Sequence, residues 1–181
     1  GESYRDPKGQ YHKRPRDNTY YASIIRRKSS SHINLLYNMI GKNNYLNIRT
    51  SSALTWNGQT GATRGFADFE SIEMCRRAGA YLLMRSYRRL GLDTIERVIS
   101  RWAPKNENDT ENYIKFVSKM TGLSRTMHLV FDNDYASILA AMEIIENGCE
   151  YGKRDTYFEN ARVSYLYIIN HYKIKVYEGK N

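Results

Sequence analysis

The chain is poor in the residues that usually announce a chemistry. Its two cysteines, Cys75 and Cys149, provide neither metal-ligand spacing nor a disulfide framework. The four histidines, His12, His32, His128 and His171, are scattered, so neither a metal site nor a cofactor is expected. There is no Walker motif, no dinucleotide-type glycine pattern and no nucleophile elbow, which removes three large enzyme classes. No apolar run approaches the ~20 residues that a membrane-spanning helix needs. Prolines number only three: Pro7 and Pro15, with Gly9, mark residues 1–17 as irregular, and Pro104 turns the chain between two helices. Gly1 reads as a residue left by tag removal, so the missing export signal excludes no compartment, and a periplasmic, secreted or virion-associated location is expected.

What is present suits one domain with a sizeable core: 181 residues, 41% of them hydrophobic. Cys75 falls on the apolar face of a predicted helix and reads as a buried thiol, with a Cys75–Cys149 bridge as the alternative. The formal charge of +9 is uneven. Residues 1–32 carry Arg5, Lys8, Lys13, Arg14, Arg16, Arg26, Arg27 and Lys28 against Glu2, Asp6 and Asp17, with Tyr4, Tyr11, Tyr20 and Tyr21 interleaved. This basic, tyrosine-rich arm has three readings. It is a solvated tail, a contact to an anionic cell-envelope polymer, or a phosphate- and base-binding strand. Nucleic acid has the least support, because no recognised nucleic-acid motif accompanies the charge.

Hydrophobic spacing predicts short helices over 18–28 and 32–40 and then, between Tyr45 and Phe69, strands at Leu46–Arg49, Ala53–Trp56 and Gly65–Phe69. The remainder reads as helical. Ser71–Leu90 places Ile72, Cys75, Gly79, Leu82, Leu83, Ser86 and Leu90 on one face, with Arg76, Arg77, Arg85, Arg88 and Arg89 largely away from it. Asp93 with Glu96 predicts a capped start for a helix ending at Trp102. Asn108 or Asp109 opens the next, which ends at Thr121-Gly122. Further helices are predicted at Asp134–Glu146 and Thr156–Tyr172, with Lys173–Tyr177 extended. The expected fold class is mainly α with a small β element.

Three polar clusters interrupt this pattern: Asn43-Asn44-Tyr45-Leu46-Asn47-Ile48-Arg49, Arg101-Trp102-Ala103-Pro104-Lys105-Asn106-Glu107-Asn108-Asp109-Thr110 through Tyr113, and Ile145-Glu146-Asn147-Gly148. Trp56-Asn57-Gly58 and Phe66-Ala67-Asp68-Phe69 lie between the first two. This order resembles a family of phage- and prophage-encoded virion structural proteins, found in Bacteroides-type genomes, that look related to lysozymes. Its pattern runs N-N-P-x-N-I-R, W-x-G, F-x-x-F, R-W-A-P-x-x-E-N-x-T-x-x-Y, T-G and E-N-G. The resemblance covers about residues 41–151, and R-W-A-P is its most specific segment. Two departures stand out: Tyr45 in place of proline, and Ile144-Ile145 in place of a basic pair. The charge distribution sets off a basic arm over 1–32, and the resemblance implies a single lysozyme-like domain over 33–181. The helix ending at Glu146 is similar to one that precedes the N-x-x-x-N-I region in cell-wall glucosaminidases and lytic transglycosylases. Here it follows, which implies a circular permutation.

Glycan cleavage needs a carboxylic acid that is still protonated near neutral pH. Glu146 is the first candidate, because the negative end of its helix and its apolar neighbours both disfavour a carboxylate. The competing reading makes it an exposed residue before a glycine cap. Glu107, in the polar corner, is the second candidate. Asn43, Asn44, Asn47, Asn106, Asn108, Thr110 and Tyr113 are candidate saccharide-binding residues; asparagines also suit turns, and a polar corner also suits helix capping. Trp56 and Trp102 are candidate stacking platforms, with a core anchor as the alternative for Trp102. The expected function is a peptidoglycan-binding, glycan-cleaving protein of phage or prophage origin, acting as a glycosidase or lytic transglycosylase. The alternative is a non-enzymatic virion structural or interaction module, which the two departures favour. Expected partners are peptidoglycan or another anionic envelope polymer, and other virion proteins.

Overall fold

The computed structural model describes residues 3–5, 11–13, 41–105 and 109–176. The helices predicted over 18–28 and 32–40, and residues Asn106, Glu107 and Asn108, lie outside the described residues. Within the segment expected to be irregular, β1 (Ser3–Arg5) pairs antiparallel with β2 (Tyr11–Lys13).

A second antiparallel pair joins β3 (Gln59–Thr63) to β4 (Phe66–Phe69). The turn between them has positive φ at both central residues, +51° at Arg64 and +84° at Gly65. That is the backbone hand that closes a two-residue hairpin without splaying its strands. This turn explains where the strand prediction failed. It pairs the residues immediately before it, so the partner of β4 is Gln59–Thr63, and Gly61, expected in a turn, sits at a register shift inside the strand. Ala53–Trp56 is irregular, and Leu46–Arg49 contributes only a single bridge, from Arg49 to Phe66.

The helices follow the predicted order. α1 (Ile72–Tyr81) starts at Ser71, whose hydroxyl accepts from the Met74 amide at 3.2 Å. It runs on into a π-helical segment, Leu82–Tyr87. A π segment carries more residues per turn and shifts the phase of the apolar face. Met84 and Tyr87 are therefore buried, whereas Leu90, predicted on the core face, is 61% exposed. Gly79 permits a close approach here: a Cβ would sit 2.3 Å from Leu46 Cδ1.

α2 (Ile95–Trp102) is capped by Thr94, not Asp93; Asp93 instead pairs with Arg97 and His128. α3 (Thr110–Thr121) is capped by Asp109 and closes on Gly122 at φ +74°. α4 spans Asp132–Asn147 and α5 spans Arg154–His171. Lys173 adopts φ +56° and Ile174 bonds back to Ile169, so the start of the stretch predicted as extended is a helix-end turn.

α4 is the centre of the core. Every residue from Tyr135 to Glu146 is buried, because α5, α3 and α1 all pack on it. A helix enclosed on all sides must satisfy any polar group it carries inside the protein. α4 carries two such groups at its C-terminal end, Glu143 and Glu146, and they organise the site. Among the described residues no helix is long and apolar enough to cross a membrane.

Candidate functional site at the C-terminal end of α4

The loop after Gly41 is pinned to β4 by its asparagines. Asn44 donates through Nδ2 to the carbonyls of Ile48 and Ala67, both at 2.8 Å, and accepts from the Ile48 amide at 2.8 Å. Asn43 donates to the Phe69 carbonyl at 3.0 Å. These amides, expected on a saccharide groove, are spent on the protein backbone. Asn47 adopts φ +55°, a left-handed conformation that asparagine tolerates better than most residues. The turn aims its amide at the end of α4.

There Asn47 Nδ2 donates to the Glu146 carbonyl at 2.9 Å and to Glu146 Oε1 at 3.2 Å. The carbonyl lies in the last turn, where helix geometry leaves acceptors without an intrahelical donor, so Asn47 closes the helix and holds the carboxyl together. From α3, the Tyr113 hydroxyl donates to Glu146 Oε2 at 3.2 Å. Glu146 is 1% exposed, Asn47 4% and Tyr113 1%. The reading of Glu146 as an exposed residue before a glycine cap is overturned. Tyr113 joins them as part of an enclosed cluster rather than a groove wall.

The polar corner is a capped joint in its described part. Thr110 is buried and donates to the Ala103 carbonyl. Asp109 accepts from the Asn112 amide at 3.2 Å. Arg125 clamps α2 to α3 by pairing with both Glu96 and Glu111. Trp102 is buried in the core, so of the two tryptophans only Trp56 remains half-exposed.

Sequence reasoning missed a second centre one turn earlier. Glu143 is fully buried and takes a two-pronged contact from Arg76, Nε to Oε1 at 2.9 Å and a terminal nitrogen to Oε2 at 2.7 Å. The Tyr157 and Tyr165 hydroxyls donate to the same carboxylate, and Arg76 also donates to Ser164 Oγ at 2.9 Å. Arg76, expected away from the core face, thus points into it. Burial opposes the Arg76 charge, but the bonds and charge of Glu143 more than offset this and push its pKa up. Burial and then the Glu143 charge push both tyrosines up. The available signal was a glutamate on the apolar stripe of a helix, three residues before another.

Around the end of α4 lies an open cavity of about 430 Å³, walled by Ile144, Ile145 and Gly148 with Phe116, Tyr151 and Arg154. The Glu146 side chain is turned toward Asn47 and Tyr113. No disulfide joins Cys75 and Cys149; Cys75 is fully buried, as expected, with Sγ 3.5 Å from Asn44 Oδ1. Among the described residues no group of histidine, cysteine and carboxylate side chains could hold a metal ion.

The fold and this site define a mainly helical protein with a small β element, built on a buried helix whose final carboxyl is held by an asparagine and a tyrosine. No family model matches the chain. The chain is similar to Protein P5 of Pseudoalteromonas phage PM2, with 41% identity over 110 residues that make up 59% of this chain and 68% of the phage protein. The chain therefore belongs to the family of that phage protein.

Proposed function

We propose that this protein binds peptidoglycan and cleaves its glycan strand in a lysozyme- or lytic-transglycosylase-like reaction, with Glu146 as the general acid. The observation that carries the reading is the enclosure of Glu146 at the negative end of α4 between Asn47 and Tyr113. Burial and the helix end favour the neutral, proton-bearing carboxyl that must protonate the glycosidic oxygen, against the two donated hydrogen bonds, which favour the charged form. Asn47 and Tyr113 act by fixing the carboxyl, not by touching sugar. Glu143 is committed to Arg76 and does not serve as a second carboxylate. Glu107 remains the second candidate for the acid, with Asn106 and Asn108 as candidate saccharide contacts. Kinship with a phage protein supports a phage or prophage origin and, with it, virion proteins as further partners. A location on the virion or in the periplasm fits that origin.

The same enclosure favours a second reading, a non-enzymatic virion structural or interaction module in which Glu146 only fastens the helix to its neighbours. One substitution separates the two. Purified peptidoglycan should be degraded by the parent protein and hardly by Glu146→Gln, since general acid catalysis contributes ~10²–10⁴-fold. Co-sedimentation with insoluble peptidoglycan should survive the substitution. If neither form releases soluble fragments, the module reading stands. Equal cleavage by both makes another residue the acid, and Glu107→Gln is then the next variant.

A further inference from the structure

A smaller cavity of about 260 Å³ opens between the segment 54–57 and α1, lined by Leu54, Trp56, Asn57, Arg77 and Tyr81 among others. It shares no lining residue with the cavity at the end of α4. Three features of its wall point to a ligand. First, the rings of Trp56 and Tyr81 meet edge to face, with centroids 6.2 Å apart and planes at 73°. Two rings at that angle form a corner that presents one flat face to a ligand. They do not form the parallel slot that sandwiches a nucleobase. A corner of this kind suits the C–H face of a single pyranose ring.

Second, Arg77 is a cation on the cavity wall that forms no ion pair among the described residues. Its neighbour Arg76 is consumed by Glu143, whereas the Arg77 guanidinium lies over the Tyr172 ring at 4.2 Å. Glu73, one turn earlier, receives the Tyr172 hydroxyl at 2.9 Å instead. Stacking fixes the plane of a guanidinium and leaves its N–H edge available for a carboxylate. Third, Asn57 is exposed at the rim and supplies an amide of the kind that pairs with hydroxyl or acetamido groups. The volume lies below the ~300–1,000 Å³ of sites for drug-sized ligands, so one ring fits and a long strand does not.

We infer that this cavity is a binding site for one pyranose ring that carries a carboxylate, stacked on Trp56 with its acid group on Arg77. The choice of a sugar rests on the glycan reading above; the preference for an acidic one rests on Arg77 alone. The site is separate from the proposed acid, so it acts as an anchoring subsite.

The test is a titration of the full chain followed by tryptophan fluorescence. The chain has two tryptophans, and Trp102 is buried, so a ligand on the aromatic corner reads out through Trp56. N-acetylmuramic acid and N-acetylglucosamine share a ring and differ by a lactyl carboxylate; glucuronic acid carries its carboxylate on the ring. At least one of the two acids should quench saturably and bind about tenfold tighter than N-acetylglucosamine, equivalent to about 1.4 kcal/mol. Which acid does so distinguishes a wall-derived source from another acidic glycan. Arg77→Gln should reduce that acid to the level of the neutral sugar and leave the neutral sugar unchanged, and added salt should narrow the same gap. Trp56→Phe, with an unchanged circular dichroism spectrum, should remove the response. Glu146→Gln should titrate like the parent, so a failure of this site and a failure of the proposed catalysis are read separately. No saturable response to any sugar, equal binding of acidic and neutral sugars, or an unaltered Arg77→Gln would each overturn the inference.

Discussion

Glu143 and Glu146 sit one turn apart on α4, both out of solvent, and Glu143 is held by an opposite charge, that of Arg76 at 2.7 Å. Glu146 receives an amide and a hydroxyl instead. Two carboxyls on one buried helix thus have different partners. The first is an ion pair that ties α1 to α4, with two α5 tyrosines closing the remaining acceptor sites. The second ties the end of α4 to the asparagine loop through Asn47 and to α3 through Tyr113.

The two should therefore respond differently to the same substitution. Glu143→Gln leaves the Arg76 charge buried without its partner, and breaking such a pair costs about 3–5 kcal/mol. Glu146→Gln keeps one acceptor for Asn47 and a polar group for Tyr113, so a loss of no more than about 1 kcal/mol is expected. Urea denaturation of the two variants beside the parent checks this. Equal losses would show that the two glutamates do the same structural job.

Much of this arrangement could be read from the sequence. The helices from Ser71 onward follow from apolar spacing and from punctuation at Pro104, Gly122 and Gly148, which act within a few residues of where they stand. Glu146 and Asn47 could be singled out as members of polar clusters in an otherwise amphipathic chain. Their contact spans 99 positions and depends on a left-handed asparagine, so the sequence could suggest that they converge but not that they bond. Arg76 was misread because surface and core arginines look alike until the partner is known. Leu90 was misread because a π segment changes the helical period, and nothing in the local composition marks it. The β3 strand was missed because Gly61 and Gly58 resemble turns, while the actual turn is Arg64-Gly65.

Alkaline pH should weaken the fold. Burial pushes the Cys75 thiol from 9.0 up to about 12, and burial also raises Tyr135, with burial and Glu143 raising Tyr157 and Tyr165. The folded state holds these protons more tightly than the unfolded chain does. Their effect on stability is thus neutral below pH 9 and unfavourable as the pH climbs toward 12. Each such group contributes a slope of up to about 1.4 kcal/mol per pH unit within its window. Unfolding free energies measured between pH 7 and 11 should fall above pH 9, and Cys75→Ala should show a shallower decline. A flat profile to pH 11 would mean that these groups ionise without cost in the folded protein.

The loop that carries the asparagines offers a packing test. A Cβ on Gly41 would lie 2.1 Å from the Ala67 carbonyl oxygen, a backbone atom of β4 that also accepts from Asn44. The overlap cannot be relieved by a rotamer change, so Gly41→Ala should destabilise by about 1–3 kcal/mol. Gly79→Ala meets the end of a Leu46 side chain instead and should cost less. A thermal melt orders the two variants, and a smaller loss at Gly41 would show that the loop can move off the hairpin.

Residues 1–32 carry more than half of the formal charge of +9, and if they act on a polymer they act by charge. Deleting them should weaken binding to an anionic polymer at low ionic strength, and the deficit should shrink as salt screens it. Identical binding of the full and shortened chains at low salt would leave the arm without a role in that contact.

Asn47 combines a backbone role with two side-chain bonds, and three substitutions separate them. Asn47→Gly retains the left-handed turn and loses the bonds to Glu146, at about 0.5–1.5 kcal/mol for each bond lost. Asn47→Ala loses the bonds and also places a Cβ at φ +55°, which adds about 1–2 kcal/mol, so it should be the less stable of the two. Asn47→Asp keeps the shape but sets a second carboxyl against Glu146 Oε1, where the amide now sits at 3.2 Å. Two carboxyls this close cannot both ionise, so burying the second one makes the folded protein bind a proton that the unfolded chain releases. The penalty should therefore be greatest at pH 7 and should recede as the pH falls toward 4. Urea denaturation at both pH values measures the difference relative to the parent. A penalty that does not change with pH would place the two side chains too far apart to interact, and with it would go the convergence of Asn47 on Glu146 from which the proposed acid is built.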